Sequence, residues 1–316
     1  MLEPLVSVII PCYNAEKYIE KSVRSILNQT YCNIEVLIAD DASEDSSVDI
    51  IEMLKKEDSR IRLIKHQTNK KIVYTLNELI DIATGEYIAR MDADDISLPE
   101  RIEKQIRFME SHKNYAACGT NILEIDINDN VIGGENYAAS EQETSFAVRF
   151  FNPVCHPSVL FKADICKRNH YDEKYVYAED YELWCRLILE KRYKIGNIQE
   201  YLFMYRKSPT QTCFIKFDEQ KRIVKDIYKK YSVMPPKYIK CHEEVFLKED
   251  KLNSDREMKE YINYCFLLSK NEREDVAAGV VGALMTCCLK RRFFLIFCEL
   301  LISGAGRKAL WKKFGE

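Results

Sequence analysis

Leu5-Val6-Ser7-Val8-Ile9-Ile10, Ile34-Glu35-Val36-Leu37-Ile38-Ala39, Ile61-Arg62-Leu63-Ile64 and Tyr87-Ile88-Ala89-Arg90-Met91 are short, nearly continuous apolar runs of strand length. Pro11 is expected to end the first, because proline has no N–H to give to a ladder. Between the runs, apolar residues fall at helical spacing. Asn14 to Gln29 carries Tyr18, Ile19, Val23, Ile26 and Leu27; a segment starting near Ser43 and Asp45 carries Val48, Ile51, Met53 and Leu54; Val73 to Ala83 is followed by Gly85 in the position of a C-terminal stop. This β-α-β-α-β-α-β alternation, with strands that lack a polar face, predicts an α/β fold: a Rossmann-like, mostly parallel sheet with helices on both faces. Ligands of such sheets gather beyond the carboxyl ends of the strands. There the chain places Pro11-Cys12-Tyr13-Asn14, Asp40-Asp41-Ala42-Ser43 and Asp92-Ala93-Asp94-Asp95, three polar clusters on one rim.

Further on, Pro99 to Glu110 reads as an amphipathic helix with Ser97 as its cap. Ala116 to Asp126 reads as a strand, Asn128-Asp129-Asn130 as a turn into Val131-Ile132, and Gly133 to Ser140 as a mobile loop. Pro157 to Phe161 is a further strand. A helix starts at Glu179-Asp180 with Tyr181, Leu183, Trp184, Leu187 and Ile188 on its buried side, and Ile195 to Tyr205 is extended. Together these assign residues 1–214 to one domain. Residues 215–316 change character: Lys/Glu-rich helical patterns predict helices at 217–231, 242–250, 255–271 and 274–302. Val276 to Leu289 is almost wholly apolar, Lys290-Arg291-Arg292 interrupts it, and Phe293 to Leu301 resumes. Neither half reaches the roughly 18–20 residues of a membrane span. Two readings stay open: a helical hairpin packed on the domain, or a surface-lying helix giving peripheral membrane contact through 276–313.

Composition narrows the class. The 316 residues are 47% hydrophobic and 31% charged, ordinary for a soluble globular chain, and a net charge of −3 gives no general pull toward nucleic acid. Twelve cysteines contain no Cys-x-x-Cys pair, and many sit in apolar runs. That predicts a reducing cytoplasm, with no disulfide framework and no structural zinc. The N-terminus lacks a basic region followed by an apolar one, so no secretory signal is expected.

Asp92, Asp94 and Asp95 put three carboxylates within four positions at a strand end. Packed together they raise one another's pKa values unless a cation lies between them. Oxygen-only ligands suit a hard ion, Mg²⁺ or Mn²⁺, completed by water and substrate phosphates. The alternative is a solvated acidic loop leading into a helix.

Val6-Ser7-Val8-Ile9-Ile10-Pro11-Cys12-Tyr13-Asn14-Ala15-Glu16, Ser25-Ile26-Leu27-Asn28-Gln29-Thr30 and Asp40-Asp41-Ala42-Ser43-Glu44-Asp45 resemble the opening of a family 2 glycosyltransferase of the GT-A fold. Gly85 to Asp95 resembles that family's Asp-x-Asp metal motif. Asn152-Pro153 through His156-Pro157-Ser158, and Ala178-Glu179-Asp180-Tyr181-Glu182-Leu183-Trp184, resemble its acceptor-side motifs. The resemblance spans about residues 4–206, and residues 215–316 carry none of it.

It implies an enzyme that moves a sugar, with inversion, from a nucleotide diphosphate donor (usually a UDP-sugar) to a hydroxyl acceptor. By implication Pro11, Tyr13, Glu16, Asp41 and Asp92 line the nucleotide, Asp41 meeting the base. Asp94, with Asp92 beside it, holds a Mn²⁺ or Mg²⁺ ion on the diphosphate. Asp180 is the general base, and Glu179, His156, Trp184 and Arg206 are acceptor-side candidates. A helix start at Asp180 is expected to help keep it ionised. The acceptor expected is a glycan or lipid-linked glycan of a bacterial surface polymer, used in the cytoplasm or on the inner face of the plasma membrane.

The chain also departs from the family pattern. Asn69-Lys70-Lys71 has lysine where glycine is frequent, and Tyr205-Arg206-Lys207-Ser208 lacks a histidine, so either nucleotide closure over the metal differs there or Arg206 and Lys207 substitute. The competing readings are a nucleotide-sugar-binding protein without turnover and a receiver-like phospho-acceptor domain. The second fails on order, because Asp40-Asp41 follows the second strand and not the first. Nucleotidyl transfer would need a Gly-rich loop that Pro11-Cys12-Tyr13-Asn14 is not.

Overall fold

The computed structural model describes residues 3–208, 216–231, 233, 235–246, 257, 261 and 264. The chain opens with β1 (Val6–Cys12), α1 (Ile19–Leu27), β2 (Ile34–Asp40), α2 (Ser47–Glu57), β3 (Ile61–Lys65), α3 (Ile72–Ile82) and β4 (Tyr87–Arg90). It continues with β5 (Ile96–Ser97), α4 (Arg101–Ser111), β6 (Tyr115–Ile125), β7 (Val131–Glu135), α5 (Glu141–Ala147), β8 (Leu160–Lys162), α6 (Ala163–Arg168), α7 (Glu179–Cys185) and β9 (Lys194–Arg206). Two further helices follow, α8 (Phe217–Lys230) and α9 (Ile239–Phe246).

The strands form one sheet in the order β3-β2-β1-β4-β8-β6-β9-β5, with β7 on β6. β1, β2, β3 and β4 are mutually parallel, as are β6 and β9, while β8, β5 and β7 run antiparallel to their partners. This is the mostly parallel α/β sheet that the pattern predicts. Side chains alternate across it. Ile9, Leu37 and Ala39 pack with α3, α6, α7 and α8 on one face. Val8, Ile10, Val36 and Ile38 pack with α1, α2 and α4 on the other. Burial on both faces is why these strands carry almost no polar residue.

Several local expectations change. Pro11 lies inside β1, paired with Ala39. β4 has ended by then, its Arg90 lying opposite Ile9, so no partner asks Pro11 for an N–H. Gly85 does not close α3, whose C-terminal residue is followed by Ala83 in extended backbone. A Cβ at Gly85 would lie 2.7 Å from both Leu5 O and Ser7 N, so this glycine permits close passage beside β1. Ser97 is not a helix cap but belongs to β5, opposite Phe203. Gly133 and Gly134 sit in β7, not in a loop. The short α5 and α6 are additional; α5 starts with a capping box between Ser140 and Glu143.

The compositional change at 214 is not a break in packing. Ile227 and Tyr228 of α8 share a core with Trp184 and Leu187. Glu182, wholly buried in α7, accepts from Lys230 Nζ at 3.0 Å, from the Tyr231 hydroxyl, and from Arg186 at 3.1 Å. The predicted helix at 242–250 corresponds to α9, displaced toward the N-terminus. That at 255–271 is described only at 257, 261 and 264, which are helical. The predicted helix at 274–302 and the stretch 276–313 lie outside the described residues. Among the described residues no helix is long and apolar enough to cross a membrane.

Candidate active site

A cleft of about 670 Å³ opens at the carboxyl ends of the parallel strands. β1 contributes Pro11 and the residues that follow it, including Tyr13 and Tyr18; the end of β2 contributes Asp41. β4 and its turn contribute Arg90, Asp92 and Asp94. The opposite wall has His156, Tyr177, Glu179 and Asp180, while α3 brings Lys71 and Thr75, and α8 brings Gln220. The cleft thus joins residues from both the strand tips and the start of α7, as the sequence reading requires. Glu16, Trp184 and Arg206 do not line it.

The loops after β1 and β2 are stitched together. Asn14 N and Ala15 N donate to Ser43 Oγ (2.9 Å) and Ser47 Oγ (2.8 Å), and Asn14 Oδ1 accepts from Glu44 N at 2.9 Å. These bonds hold Asn14 at a left-handed φ of 50°. They displace the expected helix start from Asn14 to Ile19. Glu16, expected on the nucleotide, is spent on this seam: Oε2 accepts from Ser46 N at 3.1 Å and its N–H donates to Asp45 Oδ2 at 3.0 Å. Tyr13 stands half-exposed at the cleft's edge.

Asp41 is buried, and it gathers three donors. Oδ1 accepts from Lys70 N at 2.6 Å and lies 2.8 Å from His66 Nδ1; Oδ2 accepts from Lys71 N at 2.9 Å. It caps the turn into α3, not the following helix α2, where Asp45 Oδ1 takes Ser47 N at 3.0 Å. Lys71, in the family's glycine position, keeps a glycine-like backbone at φ 73° and ψ 160°. Such a conformation costs a bulky residue about 1–3 kcal/mol, and here the Asp41 and Thr75 hydrogen bonds impose it. Lys71→Gly is therefore expected to stabilise the fold by about 1 kcal/mol, a rise of roughly 2 °C in Tm, with Lys71→Ala giving no gain. Thermal denaturation of both variants checks this.

At the acidic turn, ligand oxygens of Asp92, Asp94 and Asp95 lie within 4.8 Å of one another. They are not equivalent. Asp92 is clamped by Arg90, Nη1 to Oδ2 at 2.8 Å and Nη2 to Oδ1 at 2.6 Å. Asp95 is buried, accepts from Arg206 N at 2.8 Å through Oδ1, and has no partner for Oδ2. Asp94 faces the cleft, its pKa pushed up to about 6 by burial and then by the Asp92 charge. An unpaired carboxylate oxygen beside a second carboxylate held against ionisation is a local shortage of positive charge. This all-oxygen set fits a hard divalent ion, with Asp94 the ligand best placed to reach it.

Arg206 is not on the acceptor side. Its guanidinium is buried, stacks 4.3 Å over Tyr18, donates from Nε to Asp94 O at 2.7 Å, and pairs with Asp129 at 2.5 Å. It braces the acidic turn from behind. Lys207 pairs with Glu124 at 2.9 Å. Trp184 is likewise not an acceptor contact: it is fully buried and stacks on Phe161 at 5.6 Å, a core residue behind His156.

His156 is buried, its Nε2 2.6 Å from the Tyr171 hydroxyl. Burial, aided by the Arg90 charge, drives its pKa well down, so it sits neutral on the cleft wall. Asp180 accepts from Asn152 Nδ2 at 2.9 Å and from Tyr181 N at 2.7 Å. The helix start does not keep its pKa low: burial raises it despite the Tyr181 amide, Arg90 and Asn152, which pull the other way. Glu179 is pushed up to about 7 by burial and by Asp180, and its Oε2 is buried without a partner. The two carboxyls form a site that readily takes up a proton.

Arg90, His66 and Gln220 were not singled out from the sequence. Arg90 had a signal, a cation inside an apolar strand two residues before the acidic turn. His66 and Gln220 had none, because their positions depend on long-range packing.

The family model for glycosyl transferase family 2 matches residues 7–160. An uncharacterized glycosyltransferase of Haemophilus influenzae is 33% identical over 234 residues, covering 71% of this chain and 72% of that protein. The Escherichia coli UDP-Glc:alpha-D-GlcNAc-diphosphoundecaprenol beta-1,3-glucosyltransferase WfaP is 34% identical over 226 residues, covering 71% of this chain and 86% of that protein. Among solved structures, S. aureus TarS 1-349 in complex with UDP-GlcNAc superposes with a TM-score of 0.58 at 18% identity, over 86% of this chain and 82% of that one. The mannosyltransferase PcManGT of Pyrobaculum calidifontis, in complex with GDP-Man and Mn2+, gives 0.56 at 17% identity, over 99% and 88%. These likenesses place the sheet in the GT-A type. With the sequence relatives, they make the chain a glycosyltransferase of family 2.

Proposed function

We propose that the chain transfers a sugar from a UDP-sugar to a hydroxyl of a lipid-linked glycan, inverting the anomeric carbon, in the synthesis of a bacterial surface polysaccharide. The observation that carries this reading is the convergence of Asp41, Asp94 and Asp180 on one cleft. In this scheme Asp41 accepts from the base, Pro11 and Tyr13 flank the nucleotide, and Asp94 holds a divalent ion, Mn²⁺ or Mg²⁺. When bound, that ion supplies positive charge for the departing diphosphate. Asp92, clamped by Arg90, supports the ion's water shell more readily than it ligates directly.

Asp180 takes the acceptor's proton as the acceptor oxygen bonds to the anomeric carbon. The bond from that carbon to the diphosphate oxygen breaks, and its electron pair leaves with UDP. Glu179 and His156 stand on the acceptor side of this event. Lys71 lines the donor side, where its ammonium suits the phosphates. The WfaP name supports a UDP-sugar and a diphosphoundecaprenol-linked acceptor. An acceptor of that kind also accords with work on the inner face of the plasma membrane and with peripheral contact through 276–313.

Nucleotide release from a panel of UDP-, GDP- and dTDP-sugars with Mn²⁺ tests the reading. Release from a UDP-sugar, increased by a lipid-linked acceptor, is expected. Release only from GDP- or dTDP-sugars would refute the donor assignment, and binding without turnover would favour a non-catalytic nucleotide-sugar-binding protein.

A further inference from the structure

Asp41 reaches the cleft as part of a chain of three side chains, two of them buried. His66 follows β3, with Nδ1 2.8 Å from Asp41 Oδ1 and Nε2 2.7 Å from Glu78 Oε2 on α3. The His66 and Asp41 side chains are each 7% exposed, and Glu78 is 30% exposed. Both neighbours of the ring are carboxylate oxygens, which only accept when ionised. A neutral imidazole has one N–H and satisfies one of them; the imidazolium satisfies both.

We propose that His66 is a positioning residue for donor binding: held as an imidazolium between Asp41 and Glu78, it keeps the Asp41 carboxylate in one orientation toward the nucleotide base. The inference rests on the reading of Asp41 given above. With Lys70 N and His66 on Oδ1 and Lys71 N on Oδ2, Asp41 retains an acceptor site on Oδ2 for an imide N–H from the cleft. His66 itself is pinned by its own amide, which donates to Asp40 O at 2.9 Å.

The groups facing the ring are Asp41 from the end of β2, and Glu78 and the edge of Tyr74 from α3, with Lys70 lying over the Tyr74 ring. Burial alone would lower the histidine's pKa, but the two carboxylates outweigh it and leave the value raised. A raised value means that the cation is present on the acid side and is lost as the pH climbs through it. Above that point a ring lone pair faces a carboxylate lone pair, and one of the two hydrogen bonds becomes a repulsion.

Calorimetric titration of the full chain with UDP and Mn²⁺, at about pH 6.5 and about pH 8.5, tests this. Wild type is expected to bind roughly three- to tenfold more weakly at the higher pH. His66→Asn puts an amide donor near the Nδ1 position and cannot titrate. It is expected to lose the alkaline weakening, and comparison with it removes contributions from the acidic turn. His66→Leu is expected to bind roughly tenfold more weakly at both values. Histidine ring ¹⁵N shifts of the unliganded chain give a ligand-free readout, His66 being the signal absent from His66→Asn. It is expected to stay doubly protonated above the ordinary histidine range.

If wild type and His66→Asn share one pH dependence while Asp41→Asn loses UDP, the role of His66 is overturned and the reading of Asp41 stands. A His66 ring that titrates at or below the ordinary value overturns it equally. If UDP fails to bind wild type, or binds Asp41→Asn undiminished, the reading of Asp41 falls and takes the inference with it.

Discussion

Asp94→Asn is expected to lower sugar-transfer kcat/KM by about 10³-fold or more, while the protein folds normally and gains stability at neutral pH. The catalytic loss follows from the role proposed for Asp94 on the leaving diphosphate. Removing one preorganised stabiliser of developing charge typically costs about 10²–10³-fold, and losing an ion costs more. The stability gain follows from the neighbours of Asp94. Its carboxyl titrates at about 6 in the fold because burial and Asp92 oppose ionisation, against the ordinary 3.8. A raised carboxyl pKa means the folded state resists ionisation. The penalty is absent in acid, grows as the pH rises from about 4 to about 6, and is constant above. Asparagine never ionises, so the Tm difference between variant and wild type should widen over that window and then level off. Melting curves without metal from pH 4 to pH 8, beside rate measurements with Mn²⁺, check both halves. Equal Tm differences at all pH values would remove the electrostatic account of the turn.

Asp180→Asn is expected to lower kcat by about 10²–10⁴-fold with UDP affinity unchanged, the signature of a lost general base. Asparagine can keep the Tyr181 amide bond through its carbonyl oxygen, and its NH2, in the place of Oδ2, can donate to the Asn152 side-chain oxygen once that amide turns over, so the loss reports proton transfer and not collapse of the site. The dyad adds a pH signature. Glu179 sits at about 7 partly because of the Asp180 charge. In wild type kcat should fall as the pH drops and the pair takes up a proton, whereas in Asp180→Asn the Glu179 titration should move to lower pH. A variant that keeps full turnover, or whose loss lies entirely in donor affinity, would take the base role from Asp180.

The sequence carried the fold well wherever burial was two-sided. Apolar runs such as Ile34 to Ala39 have no polar face to confuse their reading, and the alternation with amphipathic helices then fixes a parallel sheet. It carried short elements poorly. β5 has two residues and no periodicity, and glycines mask β7. The Ser140–Glu143 capping box was a readable signal for α5 that went unused. Strand ends also revealed the rim, because carboxylates after an apolar strand need a reason to be there.

Sequence could not show how those side chains are committed. Arg206 reads as an acceptor-side candidate within the Tyr205-Arg206 pair, yet the pairing of β9 with β6 and β5 carries it beneath the acidic turn. Trp184 belongs to an acceptor-side motif, yet its ring lies in the core against Phe161, on the buried side that the helical spacing assigns to it. Glu16 lies beside the nucleotide motif, yet the seam between two loops claims its carboxylate. The commitments of Arg206 and Glu16 depend on contacts across many residues of sequence, which neither spacing nor composition records.

Diffraction from crystals soaked with UDP and Mn²⁺, using the manganese anomalous signal, tests the central claim most directly. The account predicts one manganese peak within coordination distance of an Asp94 carboxylate oxygen and of the diphosphate, with the uracil imide N–H on Asp41. A manganese peak away from Asp94, or a nucleotide bound outside the cleft, would contradict it.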